Sequence, residues 1–98
     1  MVRVVHRKKE KYDILIDRTT KWGNPFTHLS IEDTKAQFQV NTRKEAIELY
    51  RKWITEGDGK HLLNDLHELK DKTLGCWCKP DSCHGDVLAE LVDEAYPI

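Results

Sequence analysis

The sequence predicts a small α/β sandwich: a short sheet of about three or four strands with three helices packed on it. Three observations carry that prediction: two short β-branched runs near the start of the chain with a period-two strand at Lys72 to Cys78, amphipathic helical spacing in three later segments, and the interleaving of the two patterns. At 98 residues and 39% hydrophobic composition the chain suffices for one core, so residues 1–98 are read as a single domain.

Val2, Val4 and Val5 mark a first strand and Tyr12 to Ile16 a second, with the basic run Arg7-Lys8-Lys9-Glu10-Lys11 as the turn between them. The pattern then dissolves over residues 17–40, where Gly23-Asn24-Pro25 favours a loop and restrains Asn24 to extended backbone. A strand around Gln37-Phe38-Gln39-Val40 would shorten this stretch, and a loop so long in so small a domain is a candidate for function. Thr42 followed by Glu45 is a capping-box pattern that starts a helix. Ala46, Ile47, Tyr50, Trp53 and Ile54 form its apolar stripe, and Gly57 supplies a left-handed stop. Asp58 caps a second helix carrying Leu62, Leu63, Leu66 and Leu69, with His61 and His67 off the stripe. Lys72 to Cys78 reads as a strand with Leu74, Cys76 and Cys78 on one face, ended by Pro80. A last helix runs from Cys83 or His84 through Val87, Leu88, Leu91, Val92 and Ala95 to a stop at Pro97.

Composition excludes several classes. Charged residues make up 34% of the chain but nearly cancel, at a formal net charge of −1, so no global field draws it to bulk nucleic acid or to an anionic membrane. The basic run at residues 7–11 is read as a solvated turn, with phosphate contact as the alternative. No apolar run approaches the ~20 residues of a membrane span, and the N-terminus lacks a secretion signal, so a cytoplasmic protein is expected. In a reducing compartment three clustered cysteines point to metal ligation, reactive thiols or burial, not to a disulfide framework.

Chemistry concentrates in Cys76-Trp77-Cys78-Lys79-Pro80-Asp81-Ser82-Cys83-His84, which runs into Gly85-Asp86. Cys83-His84-Gly85-Asp86 falls at a helix start just past a strand, where unpaired amides and the helix dipole favour an anion. The same field lowers a cysteine pKa, which makes Cys83 a candidate nucleophile with His84 or Asp86 as its acid-base partner. Asp86 also has a plain reading, as a first-turn carboxylate complementing the dipole. Three thiols and an imidazole, Cys76, Cys78, Cys83 and His84, are alternatively the ligand inventory of a structural zinc site, although the C-x-C then C-H spacing suits zinc poorly. For Cys76 alone, burial as a small hydrophobe is the leading reading.

The Ile16-Asp17-Arg18, Gly23-Asn24-Pro25-Phe26 and Tyr50-Arg51-Lys52-Trp53 segments, with Leu74-Gly75-Cys76-Trp77-Cys78-Lys79-Pro80 and Cys83-His84-Gly85-Asp86-Val87-Leu88, resemble domain-of-unknown-function family 4326 over nearly the whole chain. Asp17 stands where that pattern leads one to expect glycine. The resemblance implies a small single domain of bacterial or phage origin, hence a bacterial host cytoplasm if phage-encoded, and it transfers no activity.

Function therefore rests on the residues. If the two motifs converge, Arg18 offers a planar fork for a phosphate or carboxylate and Asn24 a donor-acceptor amide. Arg18, Gly23, Asn24, Cys78, Cys83, His84 and Gly85 would then form one pocket for a phosphorylated or nucleotide-like small molecule, with no cofactor. Trp22 and Trp77 are candidates to stack on a planar ring or to pack. Two alternatives stand beside this reading: a zinc-bearing interaction module, and a ligand sponge or inhibitor of host defence that binds without turnover.

Overall fold

The structure is a computed structural model, and it describes residues 2–27, 38–79 and 81–96. Among the described residues five short strands and three helices follow in the order β1 (Arg3–His6), β2 (Ile14–Leu15), β3 (Phe26–Thr27), β4 (Phe38–Gln39), α1 (Arg43–Thr55), a 3-10 helix (Lys60–Leu69), β5 (Thr73–Cys76) and α2 (His84–Ala95). They form an α/β fold with a three-stranded sheet in the order β1-β5-β2 and a separate β3-β4 pair.

Every strand pairing among the described residues is parallel. Arg3 aligns with Thr73 and His6 with Cys76 on one side of β5, and Ile14 with Leu74 on the other. The basic run therefore does not turn a hairpin. It carries the chain back across the sheet so that β2 can restart in the same direction, and the strand inserted between β1 and β2 comes from the far end of the sequence. Gly75 makes this return possible, because a Cβ there would lie 2.6 Å from the Tyr12 ring. Its neighbours in register, Val5 and Leu15, share that face. On the opposite face Val4, Ile14 and Leu74 join the core with Cys76, Leu88 and Val92.

Helix α1 is capped as the sequence indicates, with Thr42 Oγ1 accepting from the Glu45 amide at 3.1 Å. It buries Ala46, Tyr50 and Ile54 and packs on α2, the 3-10 helix and β3. Its end differs from expectation. Gly57 has no positive φ; the amides of Glu56 and Gly57 close the last turn on the Lys52 and Trp53 carbonyls. The second helix is not capped by Asp58: Gly59 holds that position without a side-chain bond, because the Trp53 ring lies over it and leaves 2.5 Å for a Cβ. It winds as a 3-10 helix and still buries Leu62, Leu66 and Leu69. His61 and His67 are exposed, as their off-stripe positions indicate.

Within the irregular stretch, β3 and β4 align Phe26 with Phe38 and Thr27 with Gln39. The expected strand at 37–40 appears as Phe38–Gln39; Gln37, and the expected stops at Pro80 and Pro97, lie outside the described residues. β5 ends at Cys76, so Trp77 and Cys78 leave the ladder and the Asp81 amide closes a turn on the Cys78 carbonyl at 2.8 Å. No helix among the described residues is long and apolar enough to cross a membrane.

Candidate functional site

The three parallel strands point their C-terminal ends the same way, so the segments that follow them gather at one edge of the sheet. Those segments are Arg7-Lys8 after β1, Ile16-Asp17-Arg18 after β2 and Trp77-Cys78 after β5. Open α/β sheets place ligands at this edge. A cavity of about 270 Å³ opens here, lined among others by Arg18, Asn24, Arg43, Cys78, Cys83 and His84. It brings together five of the residues expected at a common pocket: Arg18, Asn24, Cys78, Cys83 and His84. Gly23 and Gly85 are not on its wall, and their roles are steric. A Cβ on Gly23 would sit 2.5 Å from the Arg18 Cα and 2.7 Å from the Asp17 carbonyl oxygen; one on Gly85 would sit 2.8 Å from both Ile16 Cδ1 and Val4 Cγ1. Gly23 thus lies tight against the Asp17-Arg18 backbone.

Arg18 and Asn24 build the loop before they can serve a ligand. Arg18 Nε donates to the Asn24 carbonyl at 2.7 Å and Nη2 to the Phe26 carbonyl at 2.9 Å. Asn24 is buried; its Nδ2 donates to the Ala46 carbonyl at 3.1 Å and its Oδ1 accepts from the Phe26 amide at 2.9 Å. The Asn24 amide therefore ties the loop to α1 and keeps little hydrogen-bonding capacity for a small molecule. Arg18 has five N–H donors and spends two, so part of its fork still faces the cavity. Burial pulls its pKa down, against the charges of Cys78 and Asp17.

Cys83, half of the expected nucleophile and partner, is the cap of α2. It is 2% exposed, its Sγ accepts from the Gly85 amide at 3.3 Å, and Asp86 Oδ2 accepts from the Cys83 amide at 3.1 Å. The Asp86 amide is spent on the Cys83 carbonyl, so much of the expected anion seat at this helix start is closed by its own cap. Cys83 also donates its thiol proton to Cys76, with the sulfurs 3.3 Å apart, and the nearby Cys76 and Cys78 sulfurs together with burial push its pKa far up. As built, its thiol is held protonated. His84 is placed likewise. Its Nε2 lies 2.6 Å from the Ile16 carbonyl oxygen, its ring stands edge-on to Tyr50, and burial pushes its pKa down to about 4. Asp86 pairs with Lys79 Nζ at 2.6 Å and lies off the cavity wall.

The proton donated by Cys83 is what lowers its neighbours. Cys78 is pulled down to about 6 by the Cys83 hydrogen bond and by the guanidinium of Arg43, against its partial burial. Cys76 is lowered by the same donation. Two adjacent thiolates would repel each other, and Cys76 is almost fully buried, so of the two Cys78, partly exposed and beside Arg43, is the better placed to carry negative charge. Arg43 was not among the sequence candidates. It occupies the first position after the Thr42 cap, donates to the Ser82 carbonyl at 3.4 Å and lies 3.9 Å from Asp81. A cap pattern marks that a helix starts at residue 43, but nothing in it says which site the helix start will face.

Trp22 is core, its carbonyl accepting from the Tyr50 hydroxyl at 2.8 Å. Trp77 is the rim. It is 47% exposed, lines the cavity, and donates from Nε1 to Asp17 Oδ2 at 3.2 Å. Asp17 also accepts from Thr19 and Arg7; burial works to raise its pKa, and these bonds and the Arg7 charge hold it below the usual range. Among the described residues no group of three or more His, Cys, Asp or Glu side chains is arranged to hold a metal ion, and the Nε2 of His84 is engaged elsewhere.

Two viral proteins are similar to this chain. The chain is 33% identical over 98 residues to an uncharacterized 12.4 kDa protein in the nrdA-td intergenic region of Enterobacteria phage T4, covering 98% of this chain and 82% of the phage protein. It is 38% identical over 80 residues to uncharacterized protein R718 of Acanthamoeba polyphaga mimivirus, covering 74% of this chain and 52%, about half, of that protein. No solved structure matches. The family model matches residues 2–94, across both motifs and every described strand and helix up to the penultimate residue of α2, and the chain belongs to that family, described as Domain of unknown function (DUF4326).

Proposed function

We propose that the domain binds a small phosphorylated or nucleotide-like molecule in the cavity between the Gly23-Asn24-Pro25-Phe26 loop and the start of α2. The observation that carries this reading is the composition of the cavity wall: the cations of Arg18 and Arg43 stand beside apolar surface from Ile47, Phe26 and Trp77. A volume of about 270 Å³ lies just under the usual range for small-molecule sites, and it suits one ring or a pentose phosphate better than a dinucleotide. Arg43 and the free part of the Arg18 fork would hold the anionic group; Phe26 and Ile47 would cover the ring or sugar. Incubation with a panel of nucleotides and sugar phosphates, followed by denaturation and recovery of bound molecules, tests the reading. Retention by the wild type and at least tenfold weaker binding by Arg43→Ala are expected; retention unaffected by that change would sink it.

A catalytic extension is favoured by one observation, the partly exposed and acidified Cys78 on the same wall. In this reading Cys78, and not Cys83, is the nucleophile. Iodoacetamide at pH 7 should label Cys78 before the other two thiols, with a rate that follows a titration near pH 6 and that slows at neutral pH in Arg43→Ala. Labelling of Cys83 first would overturn the assignment. Recovery of the ligand unchanged would favour the sponge over the enzyme. Near-stoichiometric zinc in protein purified without added metal, lost on Cys83→Ser, would support the zinc module instead.

A further inference from the structure

We propose that the ligand is a nucleoside di- or triphosphate whose outer phosphates leave the cavity across Trp77 and end on the basic turn of residues 7–11. This rests on the cavity reading above and extends it beyond the cavity wall. Trp77 belongs to both places at once. It lines the cavity, and on its ring lie the Arg7 guanidinium carbon at 4.5 Å and the Lys8 Nζ at 5.0 Å from the centroid. Cations and tryptophan thus form a continuous path from Arg18 and Arg43 to the turn.

The turn is rigid and its charge is available. The amides of Lys9 and Glu10 both donate to the His6 carbonyl, and the Lys8 amide donates to His6 Nδ1, so the backbone is fixed at the end of β1. Glu10, the carboxylate within the run, is taken by Arg3 at 2.6 Å. Lys8, Lys9 and Lys11 make no ion pair among the described residues, and with Arg7, Glu10 and Tyr12 they line an open depression beside the Trp77 rim. The carboxylates at the junction are already matched: Asp17 accepts from Arg7, Trp77 and Thr19, and Asp81 faces Arg43. A monophosphate held by Arg43 would not reach the turn. Each further phosphate would extend toward unpaired ammonium groups, whose compact charge suits phosphate as a point contact.

The test is calorimetric titration with the 5′-mono-, di- and triphosphates of the common bases in ribo and deoxyribo form, on the wild type and on Lys8→Ala/Lys9→Ala. For a base that binds, affinity should rise up to about fivefold with each added phosphate, the gain an exposed ion pair provides. The triphosphate-to-monophosphate ratio should fall toward one in the double variant, and further in Lys8→Glu. Both variants alter exposed side chains that make no ion pair, and the Lys8 contact they remove from the Trp77 ring is an exposed one, so their melting temperatures should stay within a few degrees of the wild type. Equal affinity for mono- and triphosphate in the wild type overturns the proposal and leaves the cavity reading standing. Failure of every nucleotide to bind, monophosphates included, overturns both. A single-stranded oligonucleotide that binds more tightly than the triphosphate, with a salt slope of several phosphates, also overturns it, since the turn would then serve a polymer.

Discussion

At residue 83 a thiol, 2% exposed, caps the first turn of α2 from inside the core. A helix dipole acting on an exposed thiol would make a nucleophile, but here the thiol is folded into the helix start and accepts from the Gly85 amide. The chemistry that remains is capping, which a hydroxyl performs at least as well. Cys83→Ser should therefore be less damaging than Cys83→Ala by about 1 kcal/mol, roughly 4–8 °C in melting temperature for a domain of this size. A serine variant as unstable as the alanine would show that sulfur packing, not the cap, holds this position. His84 carries a second prediction. Its pKa is depressed to about 4 by burial, against an ordinary 6.5. Between those values the unfolded chain binds a proton that the native chain refuses, so stability is full above pH 6.5 and is lost as pH falls toward 4. The loss should reach about 3 kcal/mol in urea unfolding. His84→Gln retains a donor for the Ile16 carbonyl and does not titrate; an unchanged slope between pH 7 and 4.5 in that variant would remove His84 as the cause.

At the scale of elements, what was legible in the sequence is what local chemistry dictates. Thr42 and the stripe of Ala46, Tyr50 and Ile54 specify α1 almost residue by residue, and Val87, Leu88 and Val92 do the same for α2. The α/β class could be read the same way, whereas the meeting of the two motifs entered only as a condition, since no local pattern joins residues 18–24 to residues 83–85. Sheet order could not. Two β-branched runs with a charged turn between them resemble a hairpin, and the insertion of β5 between β1 and β2 depends on Gly75 yielding space to Tyr12, a contact across 63 positions. Arg43 escaped for the same reason: its neighbours Cys78 and Ser82 are distant in sequence. Glycines separate the two kinds of information. Gly57 ends α1 without a left-handed φ, and a Cβ there would approach the Trp53 backbone at 3.1 Å, tight but not overlapping. Gly57→Ala should stay within about 1 kcal/mol of the wild type, because reduced unfolded-state entropy offsets the crowding. Gly23→Ala meets backbone atoms at 2.5 Å that Arg18's two carbonyl bonds hold in place, and it should cost about 2 kcal/mol or more. Equal losses at the two positions would mean that Gly57 is left-handed in solution.

For the molecule as a whole, the site and the fold form one cooperative unit, because the strand that carries Cys76 is the centre of the sheet. β5 draws one neighbour from residues 3–6 and the other from residues 14–15, so opening the site from either side breaks the main sheet. The thiols of Cys76 and Cys83 lie where this sheet meets α2, joined to each other at 3.3 Å, and both belong to the same core as Tyr50, Leu74 and Leu88. Local opening of a lid or a frayed terminus would not expose them. In Cys78→Ser, which removes the partly exposed thiol, the remaining two should react with a thiol reagent only along the global unfolding curve. Labelling and helical circular dichroism measured across a urea series should then share one midpoint and one slope. Thiol exposure at a lower urea concentration than the loss of helix would separate the site from the fold. It would place the β5–α2 junction in a weaker subdomain, and a ligand seated there would then stabilise that junction more than the rest of the protein.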